Sequence, residues 1–182
     1  MDVSRESILR ESRNLVSKEG LKALSIRKLA KNCGVAIGTI YNYFTSKDDL
    51  LISTIESVWE DIFRVDDLEN ESNDFLYYLD NIFNHLAYGI EKYPNFFTIH
   101  SLSFKSQSVD KAKDSMANYL ENLSQNMIKV LDKDPKIRKD AFNDDFSKED
   151  LVKFILSTSL CFIVERNYDK DLLIKIIEKT MY

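Results

Sequence analysis

Glycine and proline are scarce in this chain: 182 residues hold four Gly and two Pro. Sheets joined by tight turns draw on both, so the shortage points to helices throughout. Cysteine is equally sparse. Cys33 and Cys161 stand far apart, match no metal-ligand spacing and suit a protein of the reducing cytoplasm. No apolar run approaches the roughly 20 residues that span a bilayer. The opening Met1-Asp2-Val3-Ser4-Arg5 has no signal-peptide character, so neither membrane insertion nor export is expected. Two histidines, with no glycine-rich phosphate loop, no Gly-x-Ser-x-Gly and no His-Glu-x-x-His, leave hydrolysis, phosphoryl transfer and zinc chemistry without their residues. Asp132-x-Asp134 lacks the glycine and glutamate of a calcium loop. No catalysis, metal or cofactor is expected, although 44% hydrophobic content is ample for a core of one or two domains.

What is present is concentrated in residues 25–47. Ile26, Leu29 and Ala30 fall at i, i+3 and i+4 and make a buried stripe, with Arg27, Lys28 and Lys31 facing away from it. Gly34 follows where a left-handed residue would turn the chain back. At about 100° per residue, Ile37, Ile40 and Phe44 share one arc, and Gly38, Thr39, Asn42 and Tyr43 lie opposite. Two short helices with the second turned polar side outward is the layout of a DNA-reading helix-turn-helix. Ser46 with Asp49 reads as a capping box that starts a helix at Lys47. Ser25 reads as an N-cap with Arg27 and Lys28 in the turn behind it. Cations at helix starts oppose the helix dipole, and an anion such as a phosphate would compensate.

Residues 5–47 resemble the DNA-binding domain of the TetR family of bacterial transcriptional regulators. The resemblance is carried by a first amphipathic helix over 4–19, by Gly20-Leu21-Lys22-Ala23-Leu24-Ser25-Ile26-Arg27-Lys28-Leu29-Ala30, by Gly34-Val35, by Gly38-Thr39-Ile40-Tyr41-Asn42-Tyr43-Phe44, and by Lys47 opening a long fourth helix. It implies that Thr39, Tyr41, Asn42, Tyr43 and Lys47 meet DNA, and that Ser25, Ile26 and Arg27 approach phosphates or the groove edge. Gly38 on the outward arc and Lys28 at the start of its helix are further DNA-binding candidates. Ile37 stands where many members carry a polar residue and is not expected to read a base.

Charge divides along the chain in the same sense. Residues 1–47 carry nine Lys or Arg against four Asp or Glu, net +5, whereas 48–182 carry sixteen against twenty-six, net −10. A positive field confined to the reader would turn that end toward the duplex.

The expected architecture is all-α, about nine helices, with a three-helix DNA-binding domain over 1–47 and a helical effector-binding and dimerisation domain over 48–182. Helices are expected over 48–65, 72–92, 95–104, 108–131 and 148–166, with a last one rich in apolar residues near the C-terminus. Asp66 to Glu71 and residues 132–146 read as charged connections. Residues 148–166 are apolar around most of the circumference, so that helix wants a neighbour on each side. The simplest answer is a homodimer built from the last two helices, through Leu156, Leu160, Ile163, Leu173, Ile176 and Ile177. Trp59, Phe63, Tyr119, Phe162, Phe104 and His100 are candidates to line a pocket for an unknown small-molecule effector. Glu165 is a further candidate, as a carboxylate for a cationic effector or as half of a salt bridge. The function expected is that of a ligand-responsive repressor, cytoplasmic, bound as a dimer to a palindromic double-stranded operator and released by its effector. A helical adaptor that binds only protein is the alternative, and it leaves the cations at the helix starts unexplained.

Overall fold

The computed structural model describes residues 3–63, 73–96, 107–165 and 170–182, without the side chains of 107–116, 160 and 163–165. Among the described residues it is all-helical: α1 (Arg5–Glu19), α2 (Ile26–Cys33), α3 (Ile37–Tyr41), α4 (Lys47–Phe63), α5 (Phe75–Lys92), α6 (Gln107–Lys133), α7 (Lys148–Glu165) and α8 (Lys170–Met181), with a short 3-10 turn over Leu21–Ala23. The chain forms two compact units, residues 1–62 with 89–117 and residues 63–88 with 118–182. The first unit therefore extends past residue 47. Leu50 of α4 is wholly buried in one cluster with Ile8, Leu9 and Leu15 of α1 and with Ile26, Leu29, Ile40 and Phe44.

Local rules set the ends of α1. Ser4 and Ser7 exchange side chain-to-backbone hydrogen bonds of 3.1 and 2.9 Å, a capping box made by two serines. Gly20 ends the helix at φ +78°, and its N–H donates to the Val16 carbonyl at 2.8 Å. A Cβ on Gly20 would come within 3.3 Å of the Asn95 carbonyl oxygen. Here the turn after α5 lies against α1: the Asn95 amide donates to the Ser17 and Lys18 carbonyls, each at 3.2 Å, and Ser17 Oγ donates to Lys92 O at 2.6 Å. The helix expected from residue 95 does not begin there, since 94–96 form a turn closed by Phe96 N–H to Tyr93 O. The rest of that helix, and the connection at 66–71, lie outside the described residues.

The seam between α1 and α4 is polar, unlike the cluster beside it. Arg5 donates to Ser53 Oγ at 2.9 Å, and Arg13 donates to Ser57 Oγ one turn further along. Both serines are buried. Arg5 also lies over the Phe44 ring, 5.4 Å from its centroid, so one guanidinium touches the end of the helix-turn-helix and α4 together. Further along α4, Asp61 accepts from Lys92 Nζ at 2.6 Å and from the Tyr93 hydroxyl at 2.7 Å. Burial works to raise the Asp61 carboxyl, but these hydrogen bonds and the charges of Lys92 and Arg13 outweigh it and hold the group below the usual carboxylate range.

In the second unit the apolar faces of α5 (Phe75, Leu79, Ile82), α6 (Leu123, Met127, Leu131), α7 (Leu151, Val152, Ile155) and α8 (Leu173, Ile177, Met181) are buried. Asp134, just past α6, ties three elements together. It is 6% exposed and accepts from Phe75 N–H at 2.8 Å, Lys136 N–H at 2.9 Å and the Tyr182 hydroxyl at 2.5 Å. Burial and the Asp134 carboxylate hold the Tyr182 phenol above its ordinary range. The favoured state is the protonated one, so this contribution to stability is intact at neutral pH and lost in strong alkali. Asp134→Ala should lower unfolding stability by about 2–4 kcal/mol in urea titrations, because buried donors lose their acceptor. Tyr182→Phe should cost about 1 kcal/mol, one hydrogen bond.

Candidate nucleic-acid interface

The helix-turn-helix is built as its sequence dictates. Ser25 Oγ accepts from Lys28 N–H at 3.2 Å and caps α2. Gly34 takes the left-handed conformation at φ +68°, ψ +31°, and Val35 N–H reaches back to the Ala30 carbonyl at 2.9 Å, which is the Schellman closure. α3 is brief and has no side-chain cap. Its hydrogen bonding continues beyond Tyr41 through Asn42 N–H to Gly38 O and Phe44 N–H to Ile40 O. Ile40 and Phe44 are completely buried and fix the helix to α1 and α2.

One face of α3 remains open. Gly38, Asn42 and Tyr43 are exposed and Thr39 is half-buried, the outward set read from the periodicity, and Tyr41 beside them is exposed too. Ile37 departs from that reading. It is 44% exposed rather than buried with Ile40, because it is the first residue of a five-residue helix and lies beyond the edge of the cluster. Ile26 departs the other way. At 7% exposure its side chain belongs to the core, so only its backbone N–H, in the first turn of α2, can face a phosphate. The Tyr43 hydroxyl donates to the Val3 carbonyl at 2.6 Å, a partner 40 residues away that no periodicity could reveal. Tyr43 as a residue remains 37% exposed.

The cations fall into two groups. α2 has no acid in its first turn and Arg27 there is exposed, so the expected mismatch with the helix dipole holds. Lys28 instead pairs with Glu19 of α1 at 2.5 Å, both groups being partly open to solvent. Such a surface pair is worth little and can exchange for a phosphate. At α4 the mismatch is smaller than expected, since Asp48 and Asp49 share the first turn with exposed Lys47. Ser46 Oγ accepts from Asp49 N–H at 3.0 Å, and the Asp49 carboxylate accepts from Thr45 N–H at 2.7 Å rather than from Ser46. Arg27, Lys28 and Lys47 are thus all accessible to an anion, with Lys28 held in reserve by Glu19.

The aromatic effector-pocket candidates among the described residues each have a ring neighbour. Trp59 packs edge-on against Phe96 at 5.7 Å in the first unit. In the second unit Phe63 meets Tyr119 at 5.4 Å, and Phe162 meets Phe83 at 6.2 Å. Of these, Phe162 lines a cavity of about 130 Å³, with Phe83, Leu86, Ala87 and Ser159. Lys170 stands at this cavity too, its ammonium donating to Asp80 Oδ1 at 2.8 Å and Asn84 Oδ1 at 2.7 Å. Lys170 and Asp80 were not legible as partners, being 90 residues apart. His100 and Phe104, and the Glu165 side chain, lie outside the described residues.

The expected dimer residues also separate. Leu173 and Ile177 are 2% and 1% exposed within the single chain; they complete its own core and are not available to a copy. Ile176 remains 44% exposed and Leu156 is half-buried, beside Phe154 at 49% and Leu172 at 56%. The side chains of Leu160 and Ile163 lie outside the described residues. Among the described residues, no helix is long and apolar enough to cross a membrane.

Comparison with known proteins meets this geometry at the same residues. The family described as bacterial regulatory proteins, tetR family, matches residues 8–54. An uncharacterised HTH-type transcriptional regulator of Haemophilus influenzae is 52% identical over 46 residues, 25% of this chain and 25% of that protein. The HTH-type transcriptional repressor KstR of Rhodococcus jostii is 41% identical over 58 residues, 32% of this chain and 27% of the repressor. The match thus spans about a quarter of the length of these curated relatives, which are regulators rather than enzymes. Over the whole chain the fold is similar to that of the transcriptional regulator FadR of Bacillus subtilis, solved in complex with stearoyl-CoA, at TM-score 0.67 and 18% identity, covering 97% of this chain and 96% of that one. The capped α2, the left-handed Gly34 and the open face of α3 all lie inside residues 8–54, the segment that matches the bacterial regulatory proteins of the tetR family.

Proposed function

We propose that the protein is a ligand-responsive transcriptional repressor, which binds a palindromic operator as a homodimer and leaves it when a small molecule binds. The observation that carries this reading is the open face of α3, where Gly38, Thr39, Tyr41, Asn42 and Tyr43 face outward while Ile40 and Phe44 anchor the helix. That face suits entry into a major groove, with Arg27, Lys28 and Lys47 placing it on the flanking phosphates. Residues 1–47 act as the reader and 48–182 as sensor and dimerisation region. Two readers held about 34–36 Å apart would meet successive turns of the duplex. Among the described residues, Phe154 of α7 and Leu172 and Ile176 of α8 are exposed and Leu156 is half-buried, and they support the pairing of those helices with their copies.

The effector we propose is a fatty acyl thioester of coenzyme A. Two things support it: the likeness to a regulator solved with stearoyl-CoA, and the apolar cavity at Phe83, Leu86 and Phe162 with the Lys170 ammonium at its edge. At about 130 Å³ the cavity accommodates part of an acyl chain, and the remainder requires the helices to part. Such a movement has two routes to the reader. Both run along α5, which lines the cavity with Phe83, Leu86 and Ala87 and whose end is held to α1 by the Ser17 hydrogen bond to Lys92 and, through the turn that follows, by the Asn95 amide. Adding stearoyl-CoA to the protein on a selected duplex should weaken binding by about 5- to 150-fold, the usual range of coupling between two sites. Unchanged affinity at saturating ligand would remove this effector from the account.

A further inference from the structure

The exposed position of Ile37 is the feature of the reader that its core does not explain. At 44% exposure it gains little from packing, and a β-branched residue contributes nothing special to a helix start. Its neighbours make its placement informative. Gly38 follows, and a Cβ added there would meet nothing within 4 Å, so this corner of the reader stands clear of the rest of the chain. Tyr41, one turn along the same side, is 51% exposed. An apolar corner thus adjoins the polar edge of Thr39 and Asn42, within a segment of net charge +5, where a polyanion rather than an apolar protein is the complementary partner.

In a major groove the polar edges of the bases match polar side chains, and the thymine C5-methyl is the apolar feature. We propose that Ile37 is a specificity-determining residue that packs on a thymine methyl in each half-site, with the Tyr41 ring closing the contact from the next turn. The inference rests on the DNA-reading function above and goes beyond it, by naming the base and the atom recognised. It also reverses the expectation from sequence, which set Ile37 aside because it is not polar; an apolar reader needs an apolar target, and thymine supplies one.

The test uses the full chain and a duplex that it selects from a randomised pool. Each thymine is replaced singly by deoxyuridine, which removes the methyl and keeps every hydrogen-bonding group. For the wild-type protein, one position per half-site should lose affinity about three- to fivefold, the equivalent of one buried methyl group. Ile37→Ala should bind the parent duplex more weakly by a similar factor, and should be indifferent to deoxyuridine at that same position. Its thermal midpoint should match the wild type, because Ile37 is outside the buried cluster. If no position responds in the wild type, or if Ile37→Ala still responds where the wild type does, the inference fails while the DNA-reading function stands. If no duplex is selected, both fall.

Discussion

Phe44→Ala should cost the N-terminal unit about 3–5 kcal/mol, the usual range for deleting a buried phenylalanine. Phe44 is 0% exposed and joins Ile8, Leu9, Leu15, Leu24, Ile26, Leu29, Ile40 and Leu50 in a single cluster. It also follows directly on the recognition helix, with the Arg5 guanidinium over its ring. The truncation leaves a void lined by helices that share no other aromatic residue in that cluster, and it removes the ring that the Arg5 guanidinium lies over. Since an ordinary domain holds only about 5–15 kcal/mol in total, most of the margin would go. Urea unfolding followed by circular dichroism measures the loss, and duplex binding should fall with it because α3 loses its anchor. Tyr41→Ala is the matching control: it removes an exposed ring, so stability should stay within about 0.5 kcal/mol while DNA affinity drops. A Phe44→Ala protein as stable as wild type would mean that the cluster does not hold the recognition helix.

What could be read from sequence was whatever one helix, or one helix and its cap, decides alone. Ser25 as an N-cap, Gly34 as the left-handed turn and the outward set Thr39, Asn42 and Tyr43 follow from local geometry and appear as expected. Misreadings came where a distant partner decides. Ile37 shares an arc with Ile40 and Phe44, yet as the first residue of α3 it lies beyond the edge of the cluster that buries those two. Leu173 and Ile177 make an apolar stripe that fits a dimer or a core equally well, and only the fold says core. The charge of Lys28 is balanced by Glu19, nine residues earlier on another helix, a partner that helical spacing does not reveal. Asn95 on α1, Tyr43 on Val3 and Lys170 on Asp80 are of the same kind. The effector site suffered most, because its aromatic candidates sit at helical spacing whether they line a cavity or simply fill a core.

Duplex affinity should fall steeply with salt. Arg27, Lys28 and Lys47 give three phosphate-seeking side chains per reader, so the proposed homodimer would neutralise about six phosphates and log K should decline against log salt with a slope of about −5. Between 50 and 200 mM salt that is a loss of about a thousandfold. Lys47→Ala removes one contact per protomer and should flatten the slope by about 2. It leaves the fold alone, since Lys47 is exposed and the capping contacts of α4 belong to Ser46, Thr45 and Asp49. Glu19→Gln should strengthen binding at low salt by releasing Lys28 from its partner. The direct measurement is the equilibrium affinity of the full chain for its selected duplex across that salt range, beside a scrambled duplex of equal length. The account predicts tight binding to the selected duplex with a slope near −5 and much weaker binding to the scrambled one. Absence of binding, or an affinity indifferent to salt, would contradict the assignment of this helix-turn-helix as a DNA reader.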